Sequence, residues 1–249
     1  MIAVLSPAKS LDFERIPPPH APTTPRFAGE AEALAKACAR LSRKRLAGLM
    51  RISPALAALN VDRYRGFATA PERPAVFAFA GDVYQGLDAH SLDEGALAHA
   101  QARVRVLSGL YGLLRPLDAI RPHRLEMGTR WAPRHVRLTD WWGSRIAVAL
   151  AEELDMVGST TVLNLASDEY WASVKEHLPP SIRVVATEFR EGPEARFVSF
   201  HAKRARGAMA RWIVDRRIDD PVALPGFDRD GYRFDAGAST PDRLRFTRP

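Results

Sequence analysis

At 249 residues, 46% hydrophobic and 26% charged, the chain has the composition of a folded domain, with no apolar run near the roughly 20 residues a membrane span needs. Lysine and arginine outnumber aspartate and glutamate 36 to 29; the net charge of +7 points to an anionic partner, nucleic acid before membrane, because no basic amphipathic anchor is present. The single cysteine, Cys38, excludes an internal disulfide and a thiolate metal cluster, and fits a reducing cytosol.

In chain order, MIAVL (1–5) reads as a buried strand and lacks the basic n-region of a signal peptide. RIPPPHAPTTP (15–25) reads as an extended surface excursion. Helical patterning follows at 28–41 and 43–52. Ser53 and Pro54, a natural N-cap and N1 pair, open a short third helix. Four more apolar runs read as strands: AVFAFA (75–80), VRVLS (104–108), TTVLNLA (160–166) and RVVATEF (183–189). RFVSF (196–200) is expected to form a hairpin with the last of these through REGPEA. Helical segments at 92–102, 140–155 and 168–177 lie between them. Strands alternating with helices, plus one hairpin, predict a single α/β domain over 1–249, its mixed sheet flanked by helices.

In open α/β sheets, ligands bind outside the carboxyl ends of parallel strands. If these strands are parallel, the segments that follow them bring Lys9, Asp82, Tyr84, Arg115, Asp168 and Lys203 to one edge. Loops are polar for turn reasons alone, and Ser167 and Asp168 could serve only to cap a helix. Convergence of five segments weighs more than any one residue.

The loop LSGLYGLLRPLDAIRPHRLEMG (107–128) is too rich in Leu, Ile and Tyr for disorder, and Pro116 and Pro122 bar it from a single regular element. Its Arg115 and Arg121 are candidates to face phosphates. Its carboxylate Glu126 joins Asp82 and Asp168 as a possible acid–base group. The seven histidines show no metal-ligand spacing, and no nucleophile elbow or phosphate-binding loop signature occurs. In HAKRARGAMARW, Lys203 and Arg206 share a helix face with Gly207 and Ala210, small neighbours that let an anionic backbone approach. In SRKRLAGLM, Ser42 caps a helix carrying Arg43, Lys44 and Arg45 in its first turn, where cations oppose the helix dipole and an external anion would offset the cost. LAALNVDRY, with Arg63, is expected to form a tight turn between two helical pieces.

Six stretches, SPAKSLDF, GDVYQGL, the 107–128 loop, NLASDEYWASV, SFHAKRARGAMARW and GFDRDGYRFD, together resemble the bacterial peroxide-stress protein family YaaA, in order and along the full chain. The resemblance implies a cytoplasmic protein that limits damage by intracellular iron. It also implies double-stranded DNA binding through a positively charged cleft, and one compact α/β unit of unusual topology with a helix–hairpin–helix element at about 43–67. Lys9, Arg115, Lys203 and Arg206 fall inside the family motifs, as do Asp82, Tyr84, Glu126, Asn164 and Asp168. Arg121, Arg43, Lys44 and Arg63 complete the expected DNA-binding set. Leu56–Asn60 departs from the hairpin pattern by placing Ala58 and Asn60 at glycine positions, and alanine tolerates the left-handed conformation poorly. A non-enzymatic DNA-binding protein is therefore expected, without metal, cofactor or membrane partner. The alternative is an enzyme acting on a nucleotide or nucleic-acid component, with a nucleotide-like ligand in the cleft and Asp82, Glu126 or Asp168 as acid–base groups.

Overall fold

A computed structural model describes all residues from 1 to 249. The chain opens with β1 (Ile2–Leu5) and β2 (Ser10–Leu11), then three helices, α1 (Ala28–Ala39), α2 (Arg43–Met50) and α3 (Pro54–Arg65). Short elements follow: β3 (Arg73–Pro74), α4 (Ala75–Ala78), β4 (Phe79–Ala80) and α5 (Asp82–Leu87). Next come α6 (Glu94–Arg103), β5 (Val104–Ser108), β6 (Gly112–Leu114) and β7 (Ala119–Ile120), then α7 (Leu138–Trp142), α8 (Arg145–Met156), β8 (Thr161–Leu165) and α9 (Asp168–Trp171). The last third holds β9 (Arg183–Glu191), α10 (Ser199–Arg216), β10 (Arg233–Phe234) and β11 (Arg243–Arg248).

Seven strands form one sheet in the order β10-β11-β9-β8-β1-β5-β6. The five in the middle are mutually parallel, and β10 and β6 close the two edges antiparallel. β1 and β5 read as continuous apolar or buried runs because helices cover both faces of a parallel sheet. Their register places Ala3 beside Val104 on one side and Leu163 on the other. Arg105, on β5, is nonetheless fully buried; its Nε donates to Glu153 Oε2 of α8 at 3.0 Å, so the charge enters the core already paired.

Four sequence expectations need correction. AVFAFA is one helical turn ending in a two-residue strand that pairs with β2; a short buried apolar run carries no periodicity to separate the two states. RFVSF is no strand. After β9, Glu191 bridges Arg196 across a turn with Gly192 (φ 68°) and Ala195 (φ 47°) in the left-handed region, and α10 starts at once; β9 pairs instead with β11, parallel. The helix expected over 140–155 is two helices, because Gly143 (φ 52°) turns the chain between α7 and α8, and the one expected over 168–177 stops at Trp171.

The longest helix, α10, packs against α5 with backbone touching backbone. A Cβ on Gly207 would collide with the Val83 carbonyl, and one on Gly86 with the Arg204 carbonyl. Glycine is required at both positions for the helices to meet.

Candidate functional site

The parallel strands β1, β5 and β8 each deliver a serine at the carboxyl end: Ser6, Ser108 and Ser167. Ser6 Oγ accepts the Ser167 N–H at 2.9 Å and donates to Ser167 Oγ at 3.3 Å. The Tyr84 hydroxyl of α5 donates to the Ser6 carbonyl at 3.1 Å. Ser108 Oγ accepts the Tyr111 N–H at 3.1 Å and so closes the tight turn into β6.

Lys9, Ser108, His123, Arg124, Glu126 and Tyr170 line a narrow crevice beside these serines. Glu126 is only 15% exposed and has two cationic partners. Arg124 donates to Glu126 Oε1 through Nη2 at 2.8 Å and through Nε at 3.1 Å, and Lys9 Nζ lies 3.4 Å from the same oxygen. The Glu126 carboxylate is thus the counter-ion of its own neighbourhood. Burial pushes the His123 imidazole down to about 4, so the ring is neutral and its Nδ1–H donates to the Arg121 carbonyl at 2.7 Å. Burial also holds Tyr84 and Tyr170 well above the usual phenol range.

The three candidate carboxylates do not form one pair. Asp82 opens α5 and lines a separate groove of about 660 Å³ with Ser10, Asp12, Arg15 and His90. Asp168 opens α9, and its field acts on Arg206. Lys203 is exposed on α10, one turn before the partly buried Arg206.

Two expected members of the cluster lie elsewhere. Because β6 runs antiparallel to β5, with Leu114 opposite Val106, the chain has turned back toward the amino ends of the parallel strands by Arg115. There Arg115 is clamped to Asp118 through its own N–H (2.8 Å), Nε (3.2 Å) and Nη2 (3.0 Å). Arg121 lies 2.9 Å from Glu72 and 4.0 Å from Glu32, with its guanidinium 5.5 Å above the Phe67 ring. Arg124, His123 and Ser6 were not singled out in the sequence, and Ser167 was read only as a helix cap. Arg124 and Glu126 carried a signal, since alternate residues of an extended segment point to the same side.

The basic helix pair forms a second region. Ser42 Oγ accepts the Arg45 N–H at 3.2 Å and Ser53 Oγ the Leu56 N–H at 3.3 Å, so both expected caps are present. The connection differs from the expected tight turn at 56–60. That stretch lies inside α3, where alanine and leucine favour helix, and Asn60 Nδ2 donates to the Leu56 carbonyl at 2.8 Å. The helices are joined at Arg51–Ser53, with Arg51 left-handed (φ 51°, ψ 51°). From Lys36 to Arg65 there are eight cations and one acidic residue, an excess as large as that of the entire chain. Only Arg43 has a carboxylate within 4.0 Å, Asp62; Lys44 is exposed beside Arg45. Arg63 borders a groove of about 720 Å³ that also contains Asp12, Arg15 and Pro122, and burial pushes its guanidinium below the usual range.

A family model described as peroxide stress protein YaaA matches residues 1–238. The chain is 55% identical over 251 residues to a UPF0246 protein of Rhizorhabdus wittichii, covering 100% of this chain and 99% of that protein. It is 52% identical over 259 residues to UPF0246 proteins of Burkholderia mallei and Burkholderia pseudomallei, covering 100% of this chain and 98% of theirs.

Proposed function

The chain belongs to the peroxide stress protein YaaA family, and on that premise we propose that it serves the peroxide response by binding double-stranded DNA on the basic face of α2 and α3. The observation that carries this reading is the charge of Arg43–Arg65: six cations against one carboxylate, five of the six exposed. Opposed to a duplex, such a surface gains affinity by releasing condensed counter-ions, and it does so without reading sequence. Glu126 finds its partners within the protein and needs no chemical task to explain it. Protection from iron-mediated damage is then exerted at the DNA, in the cytoplasm, where a bound chain covers the backbone. No helix is long and apolar enough to cross a membrane.

The test is fluorescence anisotropy with unrelated duplexes at rising salt. With about six phosphate contacts, affinity falls on the order of a thousandfold between 50 and 200 mM salt. A flat salt response, or binding confined to one sequence, refutes the proposal.

A further inference from the structure

Burial disfavours the charge of three arginines, Arg63, Arg105 and Arg206. Arg105 has Glu153 as its answer. Arg206 has none: its half-buried guanidinium makes no hydrogen bond or ion pair within the protein, its Nε is buried without a partner, and Asp168 acts on it only through its field. A recessed guanidinium with an unused donor is an anion site awaiting its anion.

The surroundings specify the anion further. Lys9 and Arg124 share the Glu126 carboxylate, whereas Lys203 is exposed with no carboxylate partner. Gly207, next to Arg206, touches the Val83 carbonyl, and Tyr84, next to Val83, donates to Ser6. Asp168, whose field acts on Arg206, directly follows Ser167, so Arg206 faces the α9 start on the same edge as the Ser6–Ser167 pair. That pair has two hydroxyl protons and one mutual bond, so one proton remains for a ligand. Phe200 lies on the same i, i+3, i+6 row as Lys203 and Arg206 and is 51% exposed. It is roughly 9 Å along the helix from Arg206 at 1.5 Å per residue. An exposed ring at that distance from a phosphate site offers a base a stacking face. A phosphodiester within a duplex is hemmed in by its sugars and partner strand and cannot reach a recessed group; a terminal phosphate can.

We propose that the α10 edge of the strand-end site binds the terminal phosphate of a nucleotide, with the phosphate on Arg206, Lys203 and the Ser6–Ser167 pair and the base on Phe200. Two sources share this chemistry, a free nucleoside monophosphate and a phosphorylated DNA end. The site is separate from the α2–α3 surface and does not depend on its reading.

The experiment is calorimetry on the full chain with adenosine 5′-monophosphate, adenosine and inorganic phosphate, beside anisotropy on a blunt duplex with 5′-phosphate or 5′-hydroxyl ends. The monophosphate is expected to bind at least tenfold tighter than adenosine. Arg206→Gln should weaken it at least tenfold, and Phe200→Ala should weaken it while leaving inorganic phosphate unchanged. A preference for the phosphorylated duplex that Arg206→Gln abolishes identifies the DNA end as the ligand. Monophosphate binding without an end preference identifies the free nucleotide. If neither ligand distinguishes the wild type from a folded Arg206→Gln, the proposal is overturned. Should that variant unfold, Lys203→Ala gives the same readout from an exposed position. Salt-dependent duplex binding through α2 and α3 survives either result, so the two readings fail separately.

Discussion

Replacing Lys44 and Arg45 together by alanine should weaken DNA binding and strengthen the fold. Both side chains sit in the first turn of α2, exposed, with no acidic residue in that turn and no carboxylate within 4.0 Å. There the partial positive charge of the helix N-terminus repels them, at about 0.3 kcal/mol each for exposed groups. Alanine also favours helix at least as well as either residue, so the double variant should gain about 0.6 kcal/mol, or roughly 1–2 °C in melting temperature for a domain of this size. On DNA the sign reverses. Each lost phosphate contact lowers the salt slope by about 0.9, so the fall in affinity between 50 and 200 mM salt should shrink from about a thousandfold to on the order of a hundredfold. Anisotropy over that salt range, paired with thermal denaturation, reads both effects. An unchanged salt slope would refute the α2–α3 interface. A loss of stability would refute the dipole argument, and Arg115→Ala, removing a guanidinium tied to Asp118, should leave the slope alone.

Glu126→Gln removes the counter-ion of Lys9 and Arg124, so duplex binding should hold or tighten while the melting temperature drops by a few degrees, the loss being about 1 kcal/mol for a partly exposed pair. Gly207→Ala sets a methyl group against the Val83 carbonyl and should cost about 3 kcal/mol or more, seen as a lowered denaturant midpoint at unchanged m. His123 is held down at about 4 when folded and returns to its ordinary value near 6.5 when unfolded. The unfolded chain therefore binds the extra proton; stability is full above pH 6.5 and falls by up to about 3 kcal/mol as pH drops toward 4. Urea titrations of His123→Gln should show a flatter decline over that window, and an identical decline would remove His123 from the account.

The central strands were legible because a strand buried on both faces leaves an unbroken apolar run; VRVLS was placed to the residue. β11 carried a different signal, the alternation Arg243-Leu244-Arg245-Phe246 with only Leu244 and Phe246 buried, which its charge concealed. AVFAFA and RFVSF failed because short apolar stretches fit either a turn of helix or a strand, and tertiary contacts decide between them. Of the six residues expected at one strand edge, Lys9, Tyr84 and Asp168 lie beside the ends of β1, β5 and β8, whereas Asp82 lines a separate groove. Arg115 was not separable from them, because the direction of β6 depends on the tight Ser108–Gly112 turn and not on composition. The spare carboxylate in a basic loop was visible in the sequence; its partner Arg124, two residues away, became evident only with the extended backbone between them.

The position of β1 bears on how the molecule comes to exist. Its four residues lie between β5 and β8, paired with 104–106 on one side and 162–165 on the other. On a ribosome adding about 5–20 residues per second, this apolar strand is made well before either of its neighbours. It has no second neighbour until Leu165 has emerged. Pairing across such sequence separations is slow, since the long loops must close before any contact rewards them. During synthesis the centre of the finished sheet is therefore an unpaired hydrophobic edge, suited to a holding chaperone, and nascent-chain crosslinking should find β1 occupied until translation passes β8.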